Sequence, residues 1–196
     1  MAPSTKPKRS GIRVMPFAQM GPAAREIHAG GIDSIFFEAS SVRSFADDAT
    51  RKAFHWLWLG RYLTLEPEHA FLAVTSSAGE ASSGRVCGYL VGSIDDPAVR
   101  SEFETLAYFQ DFKQLTQRFP AHLHINLAPD WRGHGIGTCL IAEFETHARA
   151  LGCPGLHVVT GAGMRNIGFY SRLGFAHVAT SNRNARNVVM LAKALI

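Results

Sequence analysis

The sequence predicts an α/β fold with a mixed sheet, and three observations carry that expectation. His122–Leu127 alternates strictly: Leu123, Ile125 and Leu127 share one face of an extended chain, while His122, His124 and Asn126 share the other. Ile136, Leu140, Ile141, Phe144, Ala148 and Leu151 then recur at helical spacing, closed by Gly152 and Pro154. From His122 onward the pattern runs strand, helix, strand, helix, strand, strand.

Residues 1–10 have two internal prolines, three basic residues and no apolar run, so a disordered basic tail is expected. Gly11–Met15 reads as a short strand. Residues 22–40 read as helical with a break at Gly30-Gly31. Asp47–Leu59 reads as a helix, because Phe54, Leu57 and Trp58 fall at helical spacing and Gly60 stands where a C-cap belongs. Ala70–Thr75 and Val86–Ile94 read as strands joined by a polar hairpin loop, Ser76–Gly84. Pro97–Phe119 carries Phe103, Leu106, Phe109, Phe112, Leu115 and Phe119 at spacings of three and four. An amphipathic helix or two is expected there, either as core or as a lid over a site. Leu156–Thr160, Phe175–Ala179 and Val188–Leu195 read as strands, and Met164–Leu173 as a short helix stopped by Gly174. Residues 11–196 therefore read as a single domain with a helical insertion at 97–119.

Composition narrows the function classes. The chain has 196 residues, 46% apolar and 18% charged, an ordinary globular mix. Net charge is +4, and Lys6, Lys8 and Arg9 supply three of those charges. The basic balance is thus largely a tail effect, and no nucleic-acid partner is expected. Cys87, Cys139 and Cys153 are odd in number and form no Cys-x-x-Cys pair, which fits inert thiols in a reducing compartment. No apolar run approaches the about 20 residues that span a bilayer, and no signal-peptide core is seen at the N-terminus. No membrane partner and a cytoplasmic location are expected.

The chemistry concentrates between Leu127 and Thr138: Leu-Ala-Pro-Asp-Trp-Arg-Gly-His-Gly-Ile-Gly-Thr. A strand end, a proline bend and three alternating glycines open into a helix. Such a segment makes a nest of N–H groups at a helix N-terminus, suited to a pyrophosphate. A dinucleotide loop does not fit. The third glycine of Gly-x-Gly-x-x-Gly falls on Thr138 or Leu140, and no acidic residue ends the next strand. A nucleoside-triphosphate loop lacks its lysine. Arg132-x-x-Gly135-x-Gly137 remains.

These residues resemble the acetyl-CoA-binding motif of the GNAT acyltransferase superfamily. Asn166-Ile167-Gly168-Phe169-Tyr170-Ser171-Arg172-Leu173-Gly174-Phe175 resembles the Asn-x-x-x-Tyr helix and Leu-Gly-Phe that follow it there. The resemblance covers residues 121–180 closely and the N-terminal half in element order only. It implies a GNAT fold: a mostly antiparallel central sheet flanked by helices, with splayed central strands that bind acetyl-CoA as cosubstrate. It implies cofactor contacts at Leu127, Ala128, Pro129, Arg132, Gly133, His134, Gly135, Ile136, Gly137, Thr138, Asn166 and Tyr170. The Leu127 N–H polarises the thioester carbonyl by that resemblance, a role typically worth about 2.7–4 kcal/mol. Tyr170 matches the family's proton donor to the leaving thiolate. More narrowly, the His122–Leu127 strand behind a long insertion is similar to bacterial proteins akin to the acetyltransferase-like domain of O-GlcNAcase. In animals that attached domain is regarded as a pseudo-enzyme; this chain keeps the loop glycines. Dimers are common in the superfamily, and the sequence leaves oligomeric state open.

The implied activity is N-acetylation of an unidentified amine by direct transfer; the alternative is a non-catalytic acetyl-CoA-binding module. An alkyl amine resembles lysine, with a pKa of about 10.4, so a base or a polar channel to water must take its proton. His124 and His122 on the polar strand face are candidate bases, with Asn126 to hold water. Asp95 and Asp96 are alternatives. Arg132 either adds charge to the loop or braces it. His122-x-His124 lacks a third ligand, so no metal is expected.

Overall fold

A computed structural model describes residues 11–75, 84–183 and 186–196. The expected tail over 1–10 and the expected hairpin loop, Gly84 apart, lie outside the described residues. Strand order in the sheet is β1-β2-β3-β4-β5-β7-β6, flanked by helices. The strands are β1 (Ile12–Pro16), β2 (Phe71–Thr75), β3 (Val86–Ser93), β4 (Ala121–Leu127), β5 (Gly155–Gly161), β6 (Ala176–Arg183) and β7 (Arg186–Ala194). The α/β fold with a mixed, mostly antiparallel sheet is therefore present. The chain divides into two compact units, 1–91 with 124–144 and 92–123 with 145–196.

In the first unit, β1 and β3 both pair antiparallel with β2, with Val14 opposite Ala73 and Leu72 opposite Tyr89. Helix α1 (Pro22–Ala39) runs unbroken through Gly30-Gly31. The expected break fails because Gly31 serves close packing: a Cβ there would lie 3.2 Å from the Val86 side chain. Helix α2 (Asp48–His55) begins with the Asp47 carboxylate accepting from the Thr50 N–H at 2.7 Å, an N-cap. It does not stop at Gly60. A wide π-helical turn over Trp56–Gly60 carries it into α3 (Arg61–Leu65), and Gly60 keeps right-handed helical angles. A Cβ at Gly60 would lie 3.2 Å from both the His55 and Trp56 rings, so this glycine makes room inside a helical run. Ile32, Leu59, Tyr62, Leu72, Leu90 and Leu140 are buried core of this unit.

In the second unit, β4 runs parallel to β5, with Ala121 opposite Leu156 and His122 opposite His157. Strand β7 pairs antiparallel with both β5 and β6. The insertion is not one or two long helices. It folds as a 3-10 turn over Ser101–Phe103 and two four-residue helices, α4 (Tyr108–Asp111) and α5 (Lys113–Thr116). Phe103, Leu106, Phe109 and Phe112 are buried all the same. The aromatic spacing thus reports core, and Phe112, at φ −100° and ψ 11°, interrupts the helix. Ser181 Oγ on β6 donates to Asp111 Oδ2 at 2.5 Å and ties α4 to the sheet. Lys193 on β7 donates to both carboxylate oxygens of the buried Glu145 and to the Leu173 carbonyl.

Helix α6 (Ile136–Ala150) contributes to both units and buries Ile136, Leu140, Ile141, Phe144 and Ala148. Leu151, expected in that stripe, is 51% exposed because α6 ends before it, at Ala150, and the chain turns at Gly152 with φ +73°. Helix α7 (Asn166–Arg172) follows β5 and ends before Gly174, where φ is +88°. Among the described residues no helix is long and apolar enough to cross a membrane.

Candidate functional site

The glycine loop lies wholly in the first unit. Ala128 anchors its start, donating its N–H to the Cys87 carbonyl on β3 at 2.9 Å. A 3-10 turn follows over Pro129–Trp131, closed by Trp131 N–H to Ala128 O and Arg132 N–H to Pro129 O. Gly133 and Gly135 both take positive φ, +79° and +75°, a region L side chains rarely adopt. A Cβ on Gly133 would meet nothing within 4 Å, so the loop is open on that side. Cys139 N–H closes the first helical bond on Gly135 O, and α6 opens at Ile136. The N–H groups of Ile136, Gly137 and Thr138 have no acceptor within the helix, as at any helix start. A 15-residue helix adds its dipole there. Glycine backbone, open space and helix start together suit an anionic diphosphate.

Two loop side chains are braces. Arg132 Nε donates to the Leu127 carbonyl at 3.2 Å and ties the loop back to the strand it leaves, a bracing contact of the kind expected for one of its two roles. His134 bonds the Arg132 carbonyl through Nδ1 at 2.9 Å; the carbonyl can only accept, so Nδ1 carries the proton. Gly88 on β3 allows a close approach: a Cβ there would fall 2.2 Å from Leu127 Cδ2 and 2.9 Å from the Asn126 carbonyl.

Strand β4 changes character along its length. Ala121, His122 and Leu123 are buried, while His124, Ile125, Asn126 and Leu127 are all half-buried, whichever face they occupy. His124 sits edge-on to two rings, Trp58 at 5.4 Å and 87° and Tyr62 at 5.5 Å and 67°. Asn126 Nδ2 donates to Tyr89 Oη at 2.8 Å. Burial holds that phenol well above its ordinary range, against the lowering effect of the Asn126 hydrogen bond, and the negative charge of Asp33 adds a smaller rise.

His122 is in a different setting. It is 3% exposed, stacks on His157 at 5.6 Å and 29°, and meets Phe103 at 4.7 Å and Phe109 at 5.4 Å. His157 Nδ1 donates to the Phe119 carbonyl at 2.5 Å. Desolvation pushes His157 down to about 4, so it is neutral. These two histidines are structural, and His122 is not placed to serve as a base. Asp96 accepts from the Ala98 N–H at 2.9 Å, and Asp95 pairs with Arg100; both carboxylates secure the turn after β3.

In the second unit Asn166 opens α7, and its Oδ1 accepts from Thr160 Oγ1 at 3.0 Å, which leaves its amide NH2 to donate. Tyr170 is 5% exposed, with its ring against Phe169 and Phe175. Desolvation raises its phenol, so it stays protonated. Burial pushes the Cys87 thiol up to about 11, which removes it as a nucleophile at neutral pH. Sequence reasoning missed Trp58 and Tyr62 against His124, Tyr89 against Asn126, and the Asp33–His55 pair. One signal was present for the first two: Trp58 and Tyr62 are spaced i, i+4.

Comparisons with known proteins bear on this arrangement. Residues 34–175 match the model of the acetyltransferase (GNAT) family. Solved structures share the fold. A protein named SsHAT is 24% identical over 95% of this chain and 99% of its own, with a TM-score of 0.69. The NatC complex bound to Gag peptide and CoA gives 16%, 95% and 99%, with a TM-score of 0.63. The polyamine N-acetyltransferase of Drosophila melanogaster gives 13%, 93% and 99%, with a TM-score of 0.62. The family match spans most of the chain, including the strand, glycine loop and helix described above, and the chain belongs to the GNAT acetyltransferase family.

Proposed function

We propose that this acetyltransferase moves an acetyl group from acetyl-CoA to an amine by direct transfer. The observation that carries the reading is the open loop with positive φ at Gly133 and Gly135 at the start of α6. Acetyl-CoA, when bound, supplies an activated thioester. The N–H groups of Gly133 to Thr138 hold its diphosphate, and the half-buried His124–Leu127 segment takes its arm. The Leu127 N–H would stabilise the thioester oxygen as charge develops on it, the role the family resemblance implies. His124 takes the amine proton, its ring held by Trp58 and Tyr62. Tyr170, kept protonated by burial, donates to the departing sulfur. A tyrosine is a weaker acid than a thiol, about 10 against about 8.5, so a hydrogen bond to the sulfur is its main contribution.

The test is CoA release from acetyl-CoA across a panel of primary amines, with His124→Gln alongside. Release that needs both an amine and His124 supports the reading. Tight acetyl-CoA binding with no release on any amine favours a non-catalytic acetyl-CoA-binding module.

A further inference from the structure

We infer that Asn126 anchors the acceptor nitrogen: its carboxamide oxygen, fixed by Tyr89, accepts one N–H of the amine while His124 takes the proton of the other. The inference deepens the acetyl-transfer reading, on which it rests for the acceptor's place at His124. Every residue it uses lies in the first unit.

Contacts put Asn126 and His124 on one face of the sheet. Asn126 Nδ2 donates to Tyr89 Oη at 2.8 Å, so its side chain lies on the Tyr89 face of β3. Leu127 turns to the opposite face, where Gly88 leaves it room. Tyr89 and Val86 stand opposite Leu72 and Val74, two residues apart on β2, so they share a face across the register shift between them. Gly31 of α1 packs on the Val86 side chain, and α1 meets α2 through Phe36 against Phe54 at 5.5 Å. The run from α2 into α3 then brings Trp58 and Tyr62 against His124, at 5.4 Å and 5.5 Å. His124 and Asn126 are therefore neighbours on the face that α1 and α2 cover, about 6.6 Å apart along β4.

The Tyr89 contact engages the amide NH2, and the oxygen is the end left over. Asn126 is half-buried, and among the described residues its Oδ1 has no hydrogen-bond partner and is not sealed from solvent. An amide oxygen accepts hydrogen bonds and takes no proton near neutral pH, so it complements a base and does not duplicate one. A nitrogen that donates at about 2.9 Å to each of two acceptors bridges nearly the step from His124 to Asn126. Written from the free amine, the nitrogen lone pair forms the N–C bond, the C–S pair leaves with the sulfur, and one N–H proton passes to His124. The second N–H stays on the nitrogen, held by Asn126 Oδ1 from encounter to the secondary amide product. An N-methyl amine gives its one N–H to His124 and has none for Asn126.

The probes are butylamine, benzylamine and 2-phenylethylamine, each beside its N-methyl derivative, which is assayed both as acceptor and as competitive inhibitor. CoA release from acetyl-CoA is followed with the full chain, Asn126→Leu and Asn126→Asp, and melts confirm that both variants fold. Asn126→Leu keeps the size of the side chain and removes the acceptor. It is expected to lower kcat/KM for the primary amines about tenfold, the scale of one hydrogen bond to a nitrogen that gains charge as it reacts. The N-methyl derivatives are expected to change less than about twofold in kcat/KM and in Ki. Asn126→Asp, which keeps an oxygen at that position, is expected to restore most of the preference for primary amines. An unchanged preference in Asn126→Leu overturns the inference. So does an equal fall for both members of a pair, as a lost bridging water or a disturbed strand gives, or a failure of Asn126→Asp to restore the preference. Each of those results leaves acetyl transfer standing. No release with any amine overturns the acetyl-transfer reading, and this inference with it.

Discussion

His122 and His124 stand two residues apart on one strand, on the same face by alternation, yet they belong to different chemistry. His122 is 3% exposed and stacked in a box of Phe103, Phe109 and His157. His124 is half-buried, edge-on to Trp58 and Tyr62, on the stretch of β4 that leads into the glycine loop. The strand pattern alone makes them equivalent. The difference comes from what covers each one: an insertion of buried aromatics over the first, and a helical run with polar neighbours over the second. A histidine becomes a candidate base when its setting holds the ring without sealing it.

Substitutions at the two positions break the comparison most sharply. His124→Gln is expected to lower kcat by about 10²-fold or more, the usual contribution of a positioned base, with little change in the melt. His122→Ala is expected to do the opposite. It opens a cavity among three rings and costs about 2–4 kcal/mol of stability, while kcat per folded molecule stays within a few fold. Urea melts beside steady-state assays separate the two. Equal losses of activity at both positions would contradict the division.

Tyr170→Phe comes next. Loss of one hydrogen bond to a developing thiolate is worth about 1.5–3 kcal/mol, so kcat is expected to fall about 10–100-fold while CoA affinity holds. A kcat equal to wild type removes the donor role.

The buried box sharpens the comparison through pH. His157 titrates near 4 in the fold and near 6.5 when unfolded, so between those values the unfolded chain binds more protons. Stability is unaffected by this group above about pH 6.5 and is lost progressively as pH falls toward 4, by up to about 3 kcal/mol. Urea melts at pH 7 and pH 5 are expected to show part of that loss, and His157→Phe to flatten it. A slope unchanged in His157→Phe would assign the pH dependence to other groups. The smallest effect is expected from Tyr89→Phe, which leaves the Asn126 NH2 without its 2.8 Å acceptor and costs about 1 kcal/mol in the melt.

Much of this was legible in the sequence, where the signal was local. The alternation of His122–Leu127, the stripe from Ile136 to Ala148 and the loop glycines each appear as the strand, helix and positive-φ turn they imply. Glycine away from the loop was less legible, because its meaning depends on distant partners. Gly31 is set by Val86, fifty-five positions away in sequence, so a pair that reads as a break is packing. Gly60 makes room for two rings of its own helical run and does not end it. In the insertion, phenylalanine spacing marked burial and helix, but the two helices are four residues each and a 3-10 turn buries Phe103 as well, so spacing did not give their length. The Asp33–His55 pair joins two helices and leaves no mark in either segment alone.

Backbone amides from Gly133 to Thr138 are expected to hold the diphosphate of CoA. Calorimetric titration of the full chain with CoA and with pantetheine, which lacks the diphosphate, tests it most directly. The expected result is saturable heat and a raised Tm with CoA, weak or no response with pantetheine, and loss of the CoA response in Gly135→Val. No heat and no melt shift with CoA, or an equal response to pantetheine, would contradict it.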